Sequence, residues 1–165
     1  MFTNTLSNKK ILIYGLGISG YSCLEYLNEK NHVKVYDDNY SLKNNKNKNF
    51  FLTKKKIFSS EFDFIIISPG IDIKKCKLNS YLSNNLNKII TELDIFYLTY
   101  PENKKITITG TNGKSTTCLM LYNIFKLKKY DVRLVGNIGK SPLKEKKIKK
   151  KTIFIIEASS YQISY

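Results

Sequence analysis

Several large protein classes are excluded by what this sequence lacks. No apolar run approaches the about 18 residues of a membrane-crossing helix, so a transmembrane helix is excluded. Residues 1–10 are polar and lack the apolar stretch of a secretory signal, so none is expected. Cysteine is scarce: Cys23, Cys76 and Cys118 are odd in number, far apart and form no CxxC pair. That argues against a disulfide framework or zinc site and for a reducing cytoplasm. Arginine is scarcer still, with Arg133 alone among 28 basic residues. Specific recognition of bases and phosphates leans on the arginine fork, so the net charge of +15 does not by itself indicate a nucleic-acid partner. The lysines are spread along the chain beside abundant Asn and Ile, as a biased coding composition produces at solvated positions. The runs 54–56 and 144–151 lie between apolar segments and read as exposed loops or helix faces. Attraction of an anionic small substrate is their side benefit. His32, the one histidine, reads as a surface residue at a strand start. No internal repeat stands out.

What is present is enough for a core: 42% hydrophobic and 13% aromatic residues in a chain of 165. That length gives one domain, or one and part of a second. The order along the chain is strand, turn, helix, repeated. Residues 10–14, 32–36, 62–68 and 89–91 read as strands, and 21–30, 78–86 and 92–100 as helices. Pro101, Glu102 and Asn103 make a break, the candidate domain boundary. Strands at 105–109, 132–135 and 152–156 follow, with a helix to about Lys128 whose Leu121 and Phe125 are four apart. The reading is two α/β units in series, each with a parallel sheet.

Both units open on a phosphate-type turn. In the first, Gly15, Gly17 and Gly20 form GxGxxG between a strand and a helix, and Asp37 ends the next strand. Such glycines permit a tight turn and close approach of backbone to phosphate, and the helix start adds free N–H groups and partial positive charge. This turn fits NAD, FAD or a nucleotide sugar. In the second, Gly110, Thr111, Asn112, Gly113, Lys114 and Ser115 follow a strand. They resemble a P-loop, although Ile108 stands where the strict spacing would put its first glycine. Backbone N–H groups would cradle phosphates, Lys114 would neutralise charge, and the Ser115 hydroxyl would ligate Mg²⁺. Glu157 leaves an apolar strand at the edge where a second Mg²⁺-ordering group belongs, and Asn137 in GNIG follows a strand that presents it to a ligand.

Together these pieces resemble the Mur ligase family: GLGISG (15–20), Asp37-Asp38, SPGI (68–71), TELD (91–94), TGTNGKST (109–116), GNIG (136–139) and EASSYQ (157–162). The resemblance implies a Rossmann-like parallel-sheet domain over residues 1–100 and the first part of a P-loop α/β ATPase domain over 101–165. The first domain would bind the uridine diphosphate of a substrate. Gly15, Gly17, Ile18, Ser19 and Gly20 would meet the diphosphate, and Asp37 or Asp38 with Ser68 and Gly70 would line the uracil and ribose. The second would hold ATP through residues 110–116, including Thr116, and Mg²⁺ through Ser115 and Glu157. Lys114 and Glu157 would be catalytic, with Asn137 and Ser159 facing substrate. The implied activity joins D-glutamate to UDP-N-acetylmuramoyl-L-alanine through an acyl phosphate, for peptidoglycan precursor synthesis. The implied protein is a cytoplasmic monomer without nucleic-acid or membrane partners. Members of the family run to three domains, so the chain is expected to be a fragment without ligase activity by itself, its partial second sheet exposing an edge near residues 153–156. Two other readings stay open. GxGxxG with Asp37 also suits a nicotinamide-dependent oxidoreductase, which has no use for the Lys114 turn. The charge alone suits a basic nucleic-acid binder, which leaves both turns without a purpose.

Overall fold

The computed structural model describes residues 6–44 and 46–160. The chain divides into two compact units, Met1–Ile95 and Phe96–Tyr165. Among the described residues no helix is long and apolar enough to cross a membrane.

The first unit contains strands β1 (Lys10–Tyr14), β2 (His32–Tyr36), β3 (Phe64–Ile67) and β4 (Ile89–Ile90), and helices α1 (Ile18–Leu27), α2 (Lys54–Phe58) and α3 (Asn79–Ser83). Helix α4 (Glu92–Thr99) starts at its end and continues into the second unit. The sheet is parallel in the order β2-β1-β3-β4. Central β1 is buried on both faces, which is why its sequence is a continuous apolar run instead of an alternation. Leu12, Tyr14, Tyr36, Ile65 and Ile67 pack with Leu78 and Leu82 into one core cluster. His32 is exposed at the start of β2, as expected.

Two helices differ in their bounds from the sequence reading, each for a local reason, and the start of α4 agrees with it. Helix α1 starts at Ile18 instead of Tyr21, directly behind the glycine turn, and Asn31 closes its end by donating to the Leu27 carbonyl at 3.0 Å. The helix expected over 78–86 shortens to α3, because Asn85 turns its amide onto the Tyr81 carbonyl at 2.9 Å, a side-chain alternative to continued helix. The TELD segment is a reciprocal cap. The Thr91 N–H donates to Asp94 Oδ2 at 2.7 Å and the Asp94 N–H to Thr91 Oγ1 at 3.4 Å, fixing where α4 begins.

The second unit contains β5 (Lys105–Ile108), α5 (Lys114–Leu127), β6 (Val132–Gly136) and β7 (Ile153–Glu157) in a parallel sheet of order β5-β7-β6. The exposed edge expected near residues 153–156 is therefore corrected. β7 is the central strand, buried at every residue and paired on both sides, and β5 and β6 are the edges. The unbroken run of Ile153 to Ile156 is what a strand covered on both faces requires. Helix α5 lays Cys118, Leu121, Tyr122 and Phe125 on Val132, Ile153 and Ile155, and leaves Met120, Ile124 and Leu127 exposed. Phe96 meets the ring of Phe154 edge-on at 4.8 Å.

The lysine-rich stretch before β7 is anchored by polar bonds. Asn103 donates to the carbonyls of Lys149 (2.9 Å) and Thr152 (3.0 Å), and Thr152 Oγ1 donates to Asp131 Oδ2 at 2.6 Å. Arg133 bridges Asp131 (2.5 Å) and Glu145 (3.2 Å). The Thr152 hydrogen bond, joined by Arg133 and Lys149 and opposed by burial, holds the Asp131 carboxyl below its ordinary value of 3.8. A carboxyl depressed by folding stabilises the native state above its unfolded value, and that stability is lost as pH falls through the folded value. Acid unfolding below about pH 3.8 is thus expected to be steeper in the wild type than in Asp131→Asn; parallel melting-temperature curves for the two proteins would contradict this.

Candidate functional site

In a parallel sheet all strands end at one edge, and ligand sites form there, where the strand order reverses. In the first unit that point lies beside β1, whose chain continues to β2 on one side and β3 on the other. Gly15 leaves β1 at φ +92°, and a Cβ there would stand 2.8 Å from Ser68 Cβ. Ser68, just after β3, donates its hydroxyl to the Gly15 carbonyl at 2.7 Å. A Cβ on Gly20 would fall 1.8 Å from the same carbonyl oxygen. Gly15 and Gly20 are therefore demanded by the turn's own packing. Gly17 differs: it is exposed, has an extended backbone at φ −71°, and nothing lies within 4 Å of a Cβ placed on it. Ile18 (80% exposed) and half-buried Ser19 open α1 beside it, in the first turn whose amides have no intrahelical acceptor. Gly70 is exposed with open space around it.

The adjacent carboxylates after β2 have different surroundings. Asp37 is buried and accepts on both oxygens from backbone N–H groups, Leu16 at 2.6 Å and Asn39 at 2.7 Å. It clamps the glycine turn to the end of β2. Asp38 accepts the Tyr14 hydroxyl on Oδ2 at 2.8 Å, while its Oδ1 is buried with no hydrogen-bond partner among the described residues. Burial and then the Asp38 bond push the Tyr14 phenol far above its ordinary value, with Cys76 adding to the shift, so the hydroxyl remains the donor. Tyr14 escaped the sequence reading. Its signal was a tyrosine ending an apolar strand run that reads as buried, where the O–H needs a partner.

In the second unit Gly110 (φ +146°) and Gly113 (φ +77°) bend the chain between β5 and α5. The first helical bond of α5 runs from the Thr117 N–H to the Gly113 carbonyl, so the amides of Lys114, Ser115 and Thr116 precede the ladder. Thr111, Asn112, Ser115 and Thr116 are exposed. Lys114 Nζ folds onto its own loop, donating to the carbonyls of Gly110 (2.6 Å) and Thr111 (3.2 Å). Glu157 closes β7, level with Ile108 on one side and Gly136 on the other. It is 4% exposed, and its Oε2 is buried without a hydrogen-bond partner among the described residues. Its carbonyl accepts the Asn137 N–H at 2.9 Å, and a Cβ on Gly136 would stand 2.2 Å from that carbonyl oxygen. Burial, then the Glu157 charge, raises the Cys118 thiol, a neighbour the sequence reading did not anticipate. Asn137 is exposed and Ser159 half-buried; Tyr161 and Gln162 of the EASSYQ segment lie outside the described residues.

Two parallel α/β units, each with a glycine turn between first strand and first helix and carboxylates at the strand ends, define a tandem Rossmann-like and P-loop-like architecture. Residues 9–90 match the family described as Mur ligase MurD-like, N-terminal domain, and residues 108–164 the Mur ligase middle domain. The chain belongs to the Mur ligase family. It is 38% identical over 170 residues to a UDP-N-acetylmuramoylalanine–D-glutamate ligase of Buchnera aphidicola subsp. Schizaphis graminum, covering 94% of this chain and 36% of that protein. It is 35% identical over 167 residues to the enzyme of that name from Rickettsia conorii, covering 97% and 32%. The chain thus spans about a third of the length of these curated relatives. Among solved structures it resembles the UDP-N-acetylmuramate:L-alanyl-gamma-D-glutamyl-meso-diaminopimelate ligase from Neisseria meningitides, with a TM-score of 0.50, 15% identity, and coverage of 92% of this chain and 53% of that one. At that identity the likeness shows the fold alone.

The glycines separate experimentally. Gly20→Ala is expected to destabilise the protein by more than about 3 kcal/mol and Gly17→Ala by no more than about 1 kcal/mol. Urea unfolding checks this, and equal losses would refute the packing assignment.

Proposed function

We propose that this chain carries the uridine-diphosphate-binding and ATP-phosphate-binding parts of a ligase that joins D-glutamate to UDP-N-acetylmuramoyl-L-alanine for peptidoglycan precursors. The observation that carries the reading is the pair of glycine turns at strand-to-helix junctions, each beside a buried carboxylate oxygen without a hydrogen-bond partner among the described residues. Residues 1–100 form the substrate domain and 101–165 belong to the ATP domain. The protein works as a cytoplasmic monomer, without nucleic-acid or membrane partners. The homologues' printed names and the two domain matches support the substrate assignment.

Gly17, Ile18 and Ser19 offer backbone to the diphosphate, because Gly17 alone in that turn leaves room for a ligand. Gly15 and Gly20 shape the turn, and Ser68 locks it. Ser68 and Gly70 border the nucleoside side. In the second unit the amides of residues 114–116 face the triphosphate, and Lys114 exchanges its two loop carbonyls for phosphate oxygens. The donors also fit a magnesium ion. Glu157 offers a hard, buried, unpaired oxygen and Ser115 an exposed hydroxyl, few enough ligands for an ion that keeps waters and phosphate oxygens. Bound there, the ion supplies charge neutralisation to the transferring phosphoryl group. Lys114 adds fixed positive charge as the substrate carboxylate attacks the γ-phosphate. ADP leaves, and the D-glutamate amine then displaces phosphate from the acyl phosphate to give the amide. Asn137 and Ser159 stand at the same strand edge, placed to face the substrate.

Titration calorimetry with UDP, ATP plus magnesium, and NAD tests this. Binding of UDP and ATP is expected, without competition from NAD. Lys114→Ala should weaken ATP at least tenfold and leave UDP unchanged, and Gly17→Ala should do the reverse. Tighter binding of NAD than UDP, or ATP binding indifferent to Lys114, would overturn the proposal.

A further inference from the structure

Because its strands run the same way, a parallel sheet gathers their starts at one edge. In the second unit that edge is basic. Lys104 precedes β5, Lys128 and Lys129 precede β6, and the segment 146–151 precedes β7, and all of its lysines and theirs are exposed. The order β5-β7-β6 puts 146–151 in the middle, with the other lysines to either side. The acidic groups of this edge leave the excess standing. Asp131 and Glu145 both turn onto Arg133, at 2.5 and 3.2 Å. Glu102 is exposed, and its charge acts on Lys105. Among the described residues no ion pair joins Lys146, Lys147, Lys150 or Lys151 to a carboxylate. Five-residue β7 sets the segment about 13 Å from Glu157, at about 3.3 Å per residue. These cations therefore stand apart from the phosphate-type turn.

The segment is held in one shape. The Lys149 N–H donates to Thr152 Oγ1 at 2.9 Å, the Thr152 N–H returns to the Lys149 carbonyl at 3.0 Å, and Asn103 ties down both residues' carbonyls. A fixed set of charges loses little freedom when a partner binds. Next to Lys128 and Lys129 stand two apolar side chains, Leu127 (81% exposed) and Tyr130 (55% exposed), the tyrosine ring steadied edge-on against Phe125 at 5.5 Å. Cations beside a held tyrosine suit a protein surface, where an aromatic anchor is ringed by charge pairs. Reading of nucleic-acid phosphates and bases leans on the arginine fork, and Arg133 is spent inward. A fluid headgroup layer draws no advantage from fixed spacing. We propose that the strand-start edge of the second unit docks an acidic segment of another protein. Lys146, Lys147, Lys150 and Lys151 meet its carboxylates, and Leu127 and Tyr130 receive its apolar side chain. The inference is independent of the ligand reading above.

The test binds the whole chain to a fluorescent glutamate–tyrosine copolymer at about 150 mM salt, where charges are screened beyond about 8 Å. Poly-L-glutamate, poly(U) RNA and phosphatidylglycerol vesicles compete at equal concentrations of negative charge. The copolymer is expected to bind at least about threefold more tightly than poly-L-glutamate. Replacing Lys146, Lys147, Lys150 and Lys151 together by Gln should weaken copolymer binding at least about tenfold. The same replacement at Lys54, Lys55, Lys56 and Lys74, four exposed lysines of the first unit, removes as much charge and should weaken it less than about threefold. Leu127→Gln should erase the copolymer's advantage and leave poly-L-glutamate unchanged. All nine positions are exposed, so folding does not depend on them. Equal losses in the two fourfold variants would reduce the effect to net charge and overturn the inference. Stronger competition by poly(U) or by the vesicles than by unlabelled copolymer would overturn it too, by assigning the edge to another class of partner.

Discussion

Parallel pairing is the constraint from which the rest follows. Strands that run the same way end at the same edge, so what leaves β1, β2 and β3 is gathered on one rim, and likewise for β5, β7 and β6. The rim is crowded. The carbonyls of Gly15 and Glu157 lie so close to Gly20 and Gly136 that a methyl group at either position would overlap them. Close approach of backbone at the strand ends makes these turns tight, and tight turns into helix starts aim N–H groups outward.

The rims also concentrate acidic groups where burial is costly. Asp37 resolves that cost within the chain by accepting two backbone N–H groups. Asp38 and Glu157 do not, since each retains a buried oxygen without a donor among the described residues. A fold that optimised stability alone would replace such groups with apolar ones, given the few kcal/mol at stake in the whole native state. Their presence beside glycine turns in both units is what the proposed ligand sites require.

Much of this was legible in the sequence. Buried parallel strands show as continuous apolar runs, and residues 10–14 and 32–36 coincide with β1 and β2. The helix face of Cys118, Leu121, Tyr122 and Phe125 followed from its spacing. Strand order was not legible. β7 arrives last yet lies between β5 and β6, and nothing local in residues 153–157 distinguishes a central strand from an edge strand beyond their uniform burial. Helix ends depended on single side chains, Asn31 and Asn85, whose amides choose among nearby carbonyls only once the chain has folded. Within the site, residue types were readable and their division of labour was not. Asp37 and Asp38 are chemically identical neighbours, and only the reach of the Tyr14 hydroxyl and the Leu16 amide separates a carboxylate with both oxygens bonded from one with a single bonded oxygen.

Lys114 gives the second turn a property that the glycines cannot. Its ammonium donates to the carbonyls of Gly110 and Thr111, so an anion that takes more than the third N–H donor must compete with two dipoles. A singly charged ion such as chloride offers little in that exchange, whereas a polyphosphate brings several charges and many oxygens at once. In the proposed phosphate site, giving up those contacts favours ligands of high charge density over small singly charged anions.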